Sequence, residues 1–191
     1  MLKKELGLCY RRVRKVPIQA NSERCLVQRQ QYALQMLKLL QAGKRVINVD
    51  ESWLSETEYS RRMWCPSTAP ATITERGVNP RLALLAALDT DGHAWFALTH
   101  ATTDSDVMAL FLGHLCRQLQ QEHPGYLESS VMLLDGATYH TSQETRATLK
   151  RLGIQTIYSG PYSYAAAPIE LLFGGLKDRN LNPNFQPLGK K

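Results

Sequence analysis

The chain has 191 residues, 43% of them hydrophobic, and a formal net charge of +6. That length makes one domain with a short appendage the expectation, and the apolar content can fill a sizeable core. The longest apolar run, LALLAAL at 82–88, falls far short of the roughly 20 residues a membrane span needs, and the N-terminus MLKKELGLCYRRVRK has no apolar signal region, so a protein neither membrane-inserted nor secreted is expected.

Charge is unevenly spread. Residues 1–49 hold 11 Lys/Arg and 2 Glu, whereas residues 50–191 hold 12 Lys/Arg and 15 Asp/Glu. A basic arm of this kind favours a polyanion such as nucleic acid, because each phosphate it neutralises releases a counterion. A solvated helical surface is the plain alternative. Cysteines at 9, 25, 65 and 116 show no Cys-x-x-Cys spacing. They read as free thiols in a reducing compartment rather than as a zinc or disulfide framework.

In chain order, residues 1–21 contain Pro17 and little periodicity, which predicts an extended linker. Residues 22–42 predict a helix, with Ser22 as N-cap, Leu26, Tyr32, Leu34, Met36, Leu37 and Leu40 as apolar positions, and Gly43 as its stop. RVINVD (45–50) is β-branched and continuous, as buried strands are. ETEYSRRMWCP (56–66) predicts a weaker strand, followed by a Pro-rich loop. RLALLAALD (81–89) and HAWFALTH (93–100) flank a turn containing Gly92 and predict a hairpin.

Residues 104–122 predict a helix whose stripe carries Val107, Leu110, Phe111, His114, Leu115 and Leu119, with His114 as a satisfied core histidine. SVMLLD (130–135) is a second buried strand, 142–153 a helix stopped by Gly153, 154–159 a strand, and 168–179 a last helix opened by Pro168. Antiparallel strands followed by strands alternating with helices specify an α/β architecture, a mixed sheet with helices on both faces. Such folds bind ligands beyond the carboxyl ends of their parallel strands.

Asp50 and Asp135 each close a predicted core strand. If those strands are parallel neighbours, two carboxylates lie close together and repel unless a cation neutralises them. Hard oxygen ligands suit Mg²⁺ or Mn²⁺. Glu170, opening the last helix, is the candidate third carboxylate. Each has an ordinary explanation as well: an Asp after a strand is often a turn former or helix cap, and a Glu in a first helical turn is favoured by the dipole. Glu51 is expected to point to the opposite side of the chain in a structural role, and Asp89, Asp91, Asp104 and Asp106 read as turn and cap residues.

VDES at 49–52, LLDGATYH at 133–140 and SGPYSYAAAPIELLFGGLK at 159–177 resemble the three signature blocks of the mariner-like DDE transposases and their bacterial insertion-sequence relatives. Pro161-Tyr162-Ser163 and Pro168-Ile169-Glu170 match the third block, and the 34 residues between Asp135 and Glu170 are a family spacing. The chain departs from the pattern at Gly136, where the family often has Asn, and over Tyr164–Ala167. Gly174 and Gly175 interrupt the last helix at about 1 kcal/mol each relative to Ala.

The resemblance implies an RNase H-like fold, with a basic linker and helix at 1–43, a catalytic domain at 44–180 and a tail at 181–191. It implies metal-dependent DNA strand cleavage and strand transfer, with Asp50, Asp135 and Glu170 holding two Mg²⁺ or Mn²⁺ ions. The implied partners are double-stranded DNA, as transposon ends and target, and a second copy of the chain; no membrane is involved. Lys3, Lys4, Arg11, Arg12, Arg14, Lys15, Lys177 and Arg179 become the expected DNA contacts. The expected location is the nucleus in a eukaryote and the cytoplasm otherwise. The paired helix-turn-helix region of the family is not found upstream, so a truncated or decayed copy, or a catalytic segment of a longer gene, is expected. A catalytically silent DNA-binding remnant and another RNase H-like nuclease are the competing readings. Among smaller signals, His140 reads as a capping or core residue, with an approach to the metal or the scissile phosphate as the lesser alternative, and Trp53, Trp64 and Trp95 read as packing residues rather than base-stacking ones. RRMW (61–64) is either a phosphate contact or an exposed edge.

Overall fold

In the computed structural model of the protein, which describes residues 17–54, 82–100, 102–163 and 166–177, the chain enters through a single 3₁₀ turn, Ile18–Asn21, where an extended linker was expected. Helix α1 (Glu23–Gln41) follows. Ser22 lies outside the helix and its hydroxyl accepts the Cys25 N–H, which satisfies one of the orphan donors of the first turn. Gly43, at φ 68°, closes the helix in the left-handed region that glycine tolerates.

Five strands form one sheet in the order β3-β2-β1-β4-β5: β1 (Arg45–Leu54), β2 (Leu82–Asp89), β3 (Ala94–Thr99), β4 (Ser130–Leu134) and β5 (Thr156–Tyr158). β1, β2 and β3 are antiparallel neighbours, while β4 pairs parallel with β1 and β5 parallel with β4. The predicted hairpin is present, with Gly92 at φ 89° in its turn. Its acids are structural: Asp89 Oδ1 accepts the Asp91 and His93 N–H groups at 2.9 and 2.8 Å, and its Oδ2 accepts Arg45 Nε at 2.6 Å. Trp95 is buried beneath the Arg45 guanidinium, 5.5 Å from the ring centroid, and Trp53 is partly exposed. The predicted strand at 56–66, with Trp64 and RRMW, lies outside the described residues.

Side-chain alternation along the strands sorts the core into two faces. Ile47, Val49, Leu85, Ala87, Met132 and Leu134 pack against α2 (Ser105–Glu122) and α3 (Gln143–Leu152). The opposite face buries Val46, Val131, Leu133 and Ile157 under α1, and Leu84 and Ala86 under α4 (Pro168–Lys177). Each fully buried Leu or Ile contributes about 1.5–3 kcal/mol of transfer free energy, which is why continuous apolar strands are stable only with both faces covered.

Two helical stripes differ from expectation. In α1 only Tyr32 and Leu39 are buried, with Met36 packed beside them, and Leu26, Leu34, Leu37 and Leu40 are exposed. Apolar residues circle this helix, and a single i, i+4, i+7 row can face the sheet. In α2 the buried row is Met108, Phe111, Leu112, Leu115, Cys116 and Leu119. His114 and Leu110 fall on its flank and are exposed, so the expected core role for His114 is wrong. Asp104 caps α2 through the Asp106 and Val107 N–H groups, as predicted. Cys25 and Cys116 are free thiols; Cys9 and Cys65 lie outside the described residues.

Candidate active site

Residues 45–48 of β1 pair with 130–133 of β4. Carried two residues further, that register sets Asp50 level with Asp135. The expectation that Asp50 ends its strand is incorrect. β1 continues to Leu54 because β2 goes on pairing with it, from Asp50↔Ala86 to Leu54↔Leu82. What ends is the parallel partner: β4 stops at Leu134, and Asp135 begins the loop that follows. The gap beside Asp50 is therefore the mouth of the parallel half of the sheet.

Glu170 reaches this mouth through α4, whose start is tied to the sheet by a buried polar contact. The Asn48 side chain donates to the Leu133 carbonyl at 3.3 Å and accepts the Ile169 N–H at 3.2 Å. One side chain thus joins β1, β4 and the first turn of α4, one residue before Glu170. Asn48→Ala leaves a buried donor and acceptor unpaired, a cost of about 1–3 kcal/mol. Its thermal midpoint is expected to fall by about 5 °C in calorimetry; an unchanged midpoint would show that α4 is anchored otherwise. Despite Gly174 and Gly175, α4 continues to Lys177, held by buried Ile169 and Phe173.

Asp50, Asp135 and Glu170 line one cleft of about 540 Å³. Gln28 of α1 and the 159–163 loop form its other walls. That loop presses on α1 at Gly160, where a Cβ would come within 3.0 Å of the Arg29 backbone, so only glycine fits there. Next to it Tyr162 adopts φ 58°, a strained conformation for a bulky residue and one that concentrates at functional sites. Among the described residues lining the cleft there is no Lys or Arg.

The electrostatics follow from this crowding. Burial, with the charges of Asp135 and Glu170, pushes Asp50 up from 3.8 to about 6, against the Glu51 N–H it accepts at 2.9 Å and the opposing influence of His140. Burial and the Asp50 charge push Glu51 up to about 7. Burial works to raise Asp135 too, but hydrogen bonds from His140 and from the Ala137 N–H outweigh it and hold its carboxyl below the usual range. Asp135 therefore stays an anion while its neighbours resist becoming anions.

Glu51 was expected to point away from Asp50 in a structural role. Its carboxylate meets buried His140, and ligand atoms of Asp50, Glu51 and His140 lie within 4.8 Å of one another. Asp50, Asp135 and Glu170 are set wider than that. His140 is in the core, as one of its two expected roles had it, and bonds Asp135 directly. The signal for this link was the five-residue gap from Asp135 to His140 across a tight turn, readable only once the register was known. Of the expected DNA contacts, Lys177 is half-buried in the last turn of α4; Lys3, Lys4, Arg11, Arg12, Arg14, Lys15 and Arg179 lie outside the described residues.

The sequence profile of the DDE superfamily endonucleases matches residues 45–189. No curated protein sequence matches the chain. Among solved structures, the Mos1 transposase paired-end complex with left transposon end is 23% identical at a TM-score of 0.72, over 92% of this chain and 54% of that one. The Mos1 mariner paired-end complex with Mn is 26% identical at 0.71, over 89% and 53%. The catalytic domain of Mos1 mariner transposase is 21% identical at 0.60, over 85% and 74%. The chain thus spans about half the length of the two full complexes' protein. The mixed sheet, with helices on both faces, is the RNase H-like fold of that catalytic domain. With its profile match covering three quarters of its length, the chain belongs to the DDE superfamily endonucleases.

Proposed function

We propose that this chain is the catalytic segment of a transposase, cleaving DNA strands and joining them to target DNA with the help of divalent cations. The observation that carries the reading is the cleft itself: Asp50 in β1, Asp135 just past the end of β4 and Glu170 of α4 line it together, with no basic side chain among the described lining residues. An uncompensated set of hard oxygen donors fits Mg²⁺ or Mn²⁺. Asp50, Asp135 and Glu170 would hold two such ions, which when bound activate an attacking water or 3′-hydroxyl and stabilise the leaving oxygen of an in-line displacement. The family membership and the Mos1 complexes, which include ones with Mn, with Mg and after strand transfer, support this assignment.

The chain's own groups do the positioning. Asp135, held as an anion by His140 and the Ala137 N–H, offers Oδ2, since both hydrogen bonds fall on Oδ1. Asp50 resists ionisation until a cation arrives. The backbone of 159–163, wedged against α1, shapes the wall past which a DNA strand would run. Lys3, Lys4, Arg11, Arg12, Arg14, Lys15, Lys177 and Arg179 would contact phosphates, and two copies would pair on two DNA ends, as the paired-end complexes of Mos1 suggest. The work would be done wherever the host keeps its DNA, the nucleus of a eukaryote or the cytoplasm of a bacterium. No helix among the described residues is long and apolar enough to cross a membrane.

The test is nicking of supercoiled plasmid by the chain with Mn²⁺ or Mg²⁺. Metal-dependent nicks are expected. DNA retention without nicking under either ion would make the chain a silent DNA-binding remnant, and preferential cleavage of RNA–DNA hybrids would make it a nuclease of another kind.

A further inference from the structure

His140 is fully buried, yet it stands between the carboxylates of Glu51 in β1 and Asp135 after β4. Its Nδ1 lies 2.5 Å from Asp135 Oδ1, an acceptor, so Nδ1 carries the proton. Its Nε2 lies 3.6 Å from Glu51 Oε2, just beyond hydrogen-bond range. Neither of those two atoms has another hydrogen-bond partner. Buried polar atoms left in this way call for an explanation.

The ring and the backbone that carries it are held by several contacts. Tyr139 packs edge-on at 4.6 Å between centroids, the Tyr158 hydroxyl donates to the His140 carbonyl, and Thr145 Oγ1 donates to the Tyr139 carbonyl at 2.7 Å. The segment 137–141 is closed by the Thr141 N–H donating to the Ala137 carbonyl. These contacts fix the direction of Nδ1, and with it the rotamer of Asp135.

We propose that His140 is a positioning residue that orients Asp135 for cation binding through Nδ1, and that Glu51 orients His140 in turn from the Nε2 side of the ring. The inference rests on the reading of Asp135 as a cation ligand. His140 touches neither cation nor DNA in this scheme. It occupies Oδ1 of Asp135 and so commits Oδ2 to the cleft. Partners of this kind behind a ligand change metal affinity by about 10- to 100-fold when removed.

The two amide side chains separate the role of each ring nitrogen. In His140→Asn the amide nitrogen stands near the position of Nδ1; in His140→Gln it stands near that of Nε2. Mn²⁺ affinity of the full chain, without DNA, is read by titration calorimetry, with the thermal midpoint recorded for each variant. His140→Gln is expected to bind Mn²⁺ about 10- to 100-fold more weakly than wild type, and His140→Asn to recover most of that loss. Equal affinity in His140→Gln and wild type, or equal weakness in both variants, would overturn the inference. Should either His140 variant fail to fold, Glu51→Gln decides: about tenfold weaker Mn²⁺ binding supports the inference, and unchanged binding overturns it. A wild-type chain that binds no Mn²⁺ removes the ligand reading itself, and this inference with it.

Discussion

Asp135→Asn is expected to lower Mn²⁺-dependent nicking of plasmid DNA by about a thousandfold or more, while the variant stays folded and keeps its hold on DNA. The expectation follows from what the substitution changes. The amide keeps an oxygen that can accept the Ala137 N–H and the His140 Nδ1–H, so the loop after β4 retains its anchors. The negative charge is lost, and with it the proposed ligand, whose share in stabilising a phosphoryl transition state would be worth several kcal/mol, about tenfold in rate per 1.4 kcal/mol. The fold gains on one count, because Asp50 and Glu51 lose a repelling neighbour. Asp91→Asn is the control: this acid is exposed at the hairpin turn, outside the cleft, and its nicking rate should match wild type. A wild-type rate in Asp135→Asn would end the assignment of Asp135 as a ligand.

The second large effect concerns stability. Asp50 and Glu51 have folded-state values near 6 and 7, above their ordinary 3.8 and 4.5. Raised values mean that the folded chain binds more protons than the unfolded chain between about pH 4 and 7, so stability falls as pH rises through that window and the loss is complete above it. Without metal, the thermal midpoint is expected to drop by roughly 5 °C from pH 5 to pH 8. Mn²⁺ should raise the midpoint more at pH 8 than at pH 5, because protons compete with the ion for the same oxygens. Asp50→Asn should flatten the slope. A midpoint that rises with pH in metal-free buffer, or an Mn²⁺ shift of equal size at both values, would contradict the electrostatic picture of the cleft.

Asp50 and Asp135 were legible before any fold was known, whereas Glu51 was read as a structural residue. The continuous apolar runs that deliver Asp50 and Asp135, the cap at Ser22, the turn glycine at 92 and the helix stop at 153 are local features, and local chemistry decides them. The same holds for the expectation of a mixed sheet with parallel strands late in the chain. Where expectation failed, the cause was non-local. His114 and Leu110 belong to an apolar run in α2, but the row of that helix packed against the sheet is the one carrying Met108, Phe111, Leu112, Leu115 and Leu119, which leaves them exposed. β1 outruns Asp50 because β2 supplies hydrogen-bond partners as far as Leu54.

The candidate site divides along the same line. Its acids are set by the sequence alone, as residue types at a characteristic spacing, and so is the chemistry that hard oxygen ligands permit. Their meeting in one cleft, the Asn48 tie that brings α4 to the sheet, the pressure of Gly160 on α1 and the burial of His140 between Asp135 and Glu51 were decided by tertiary structure. The reason is that register and packing depend on partners tens to more than a hundred residues away, and a side chain's protonation depends on what those partners place around it.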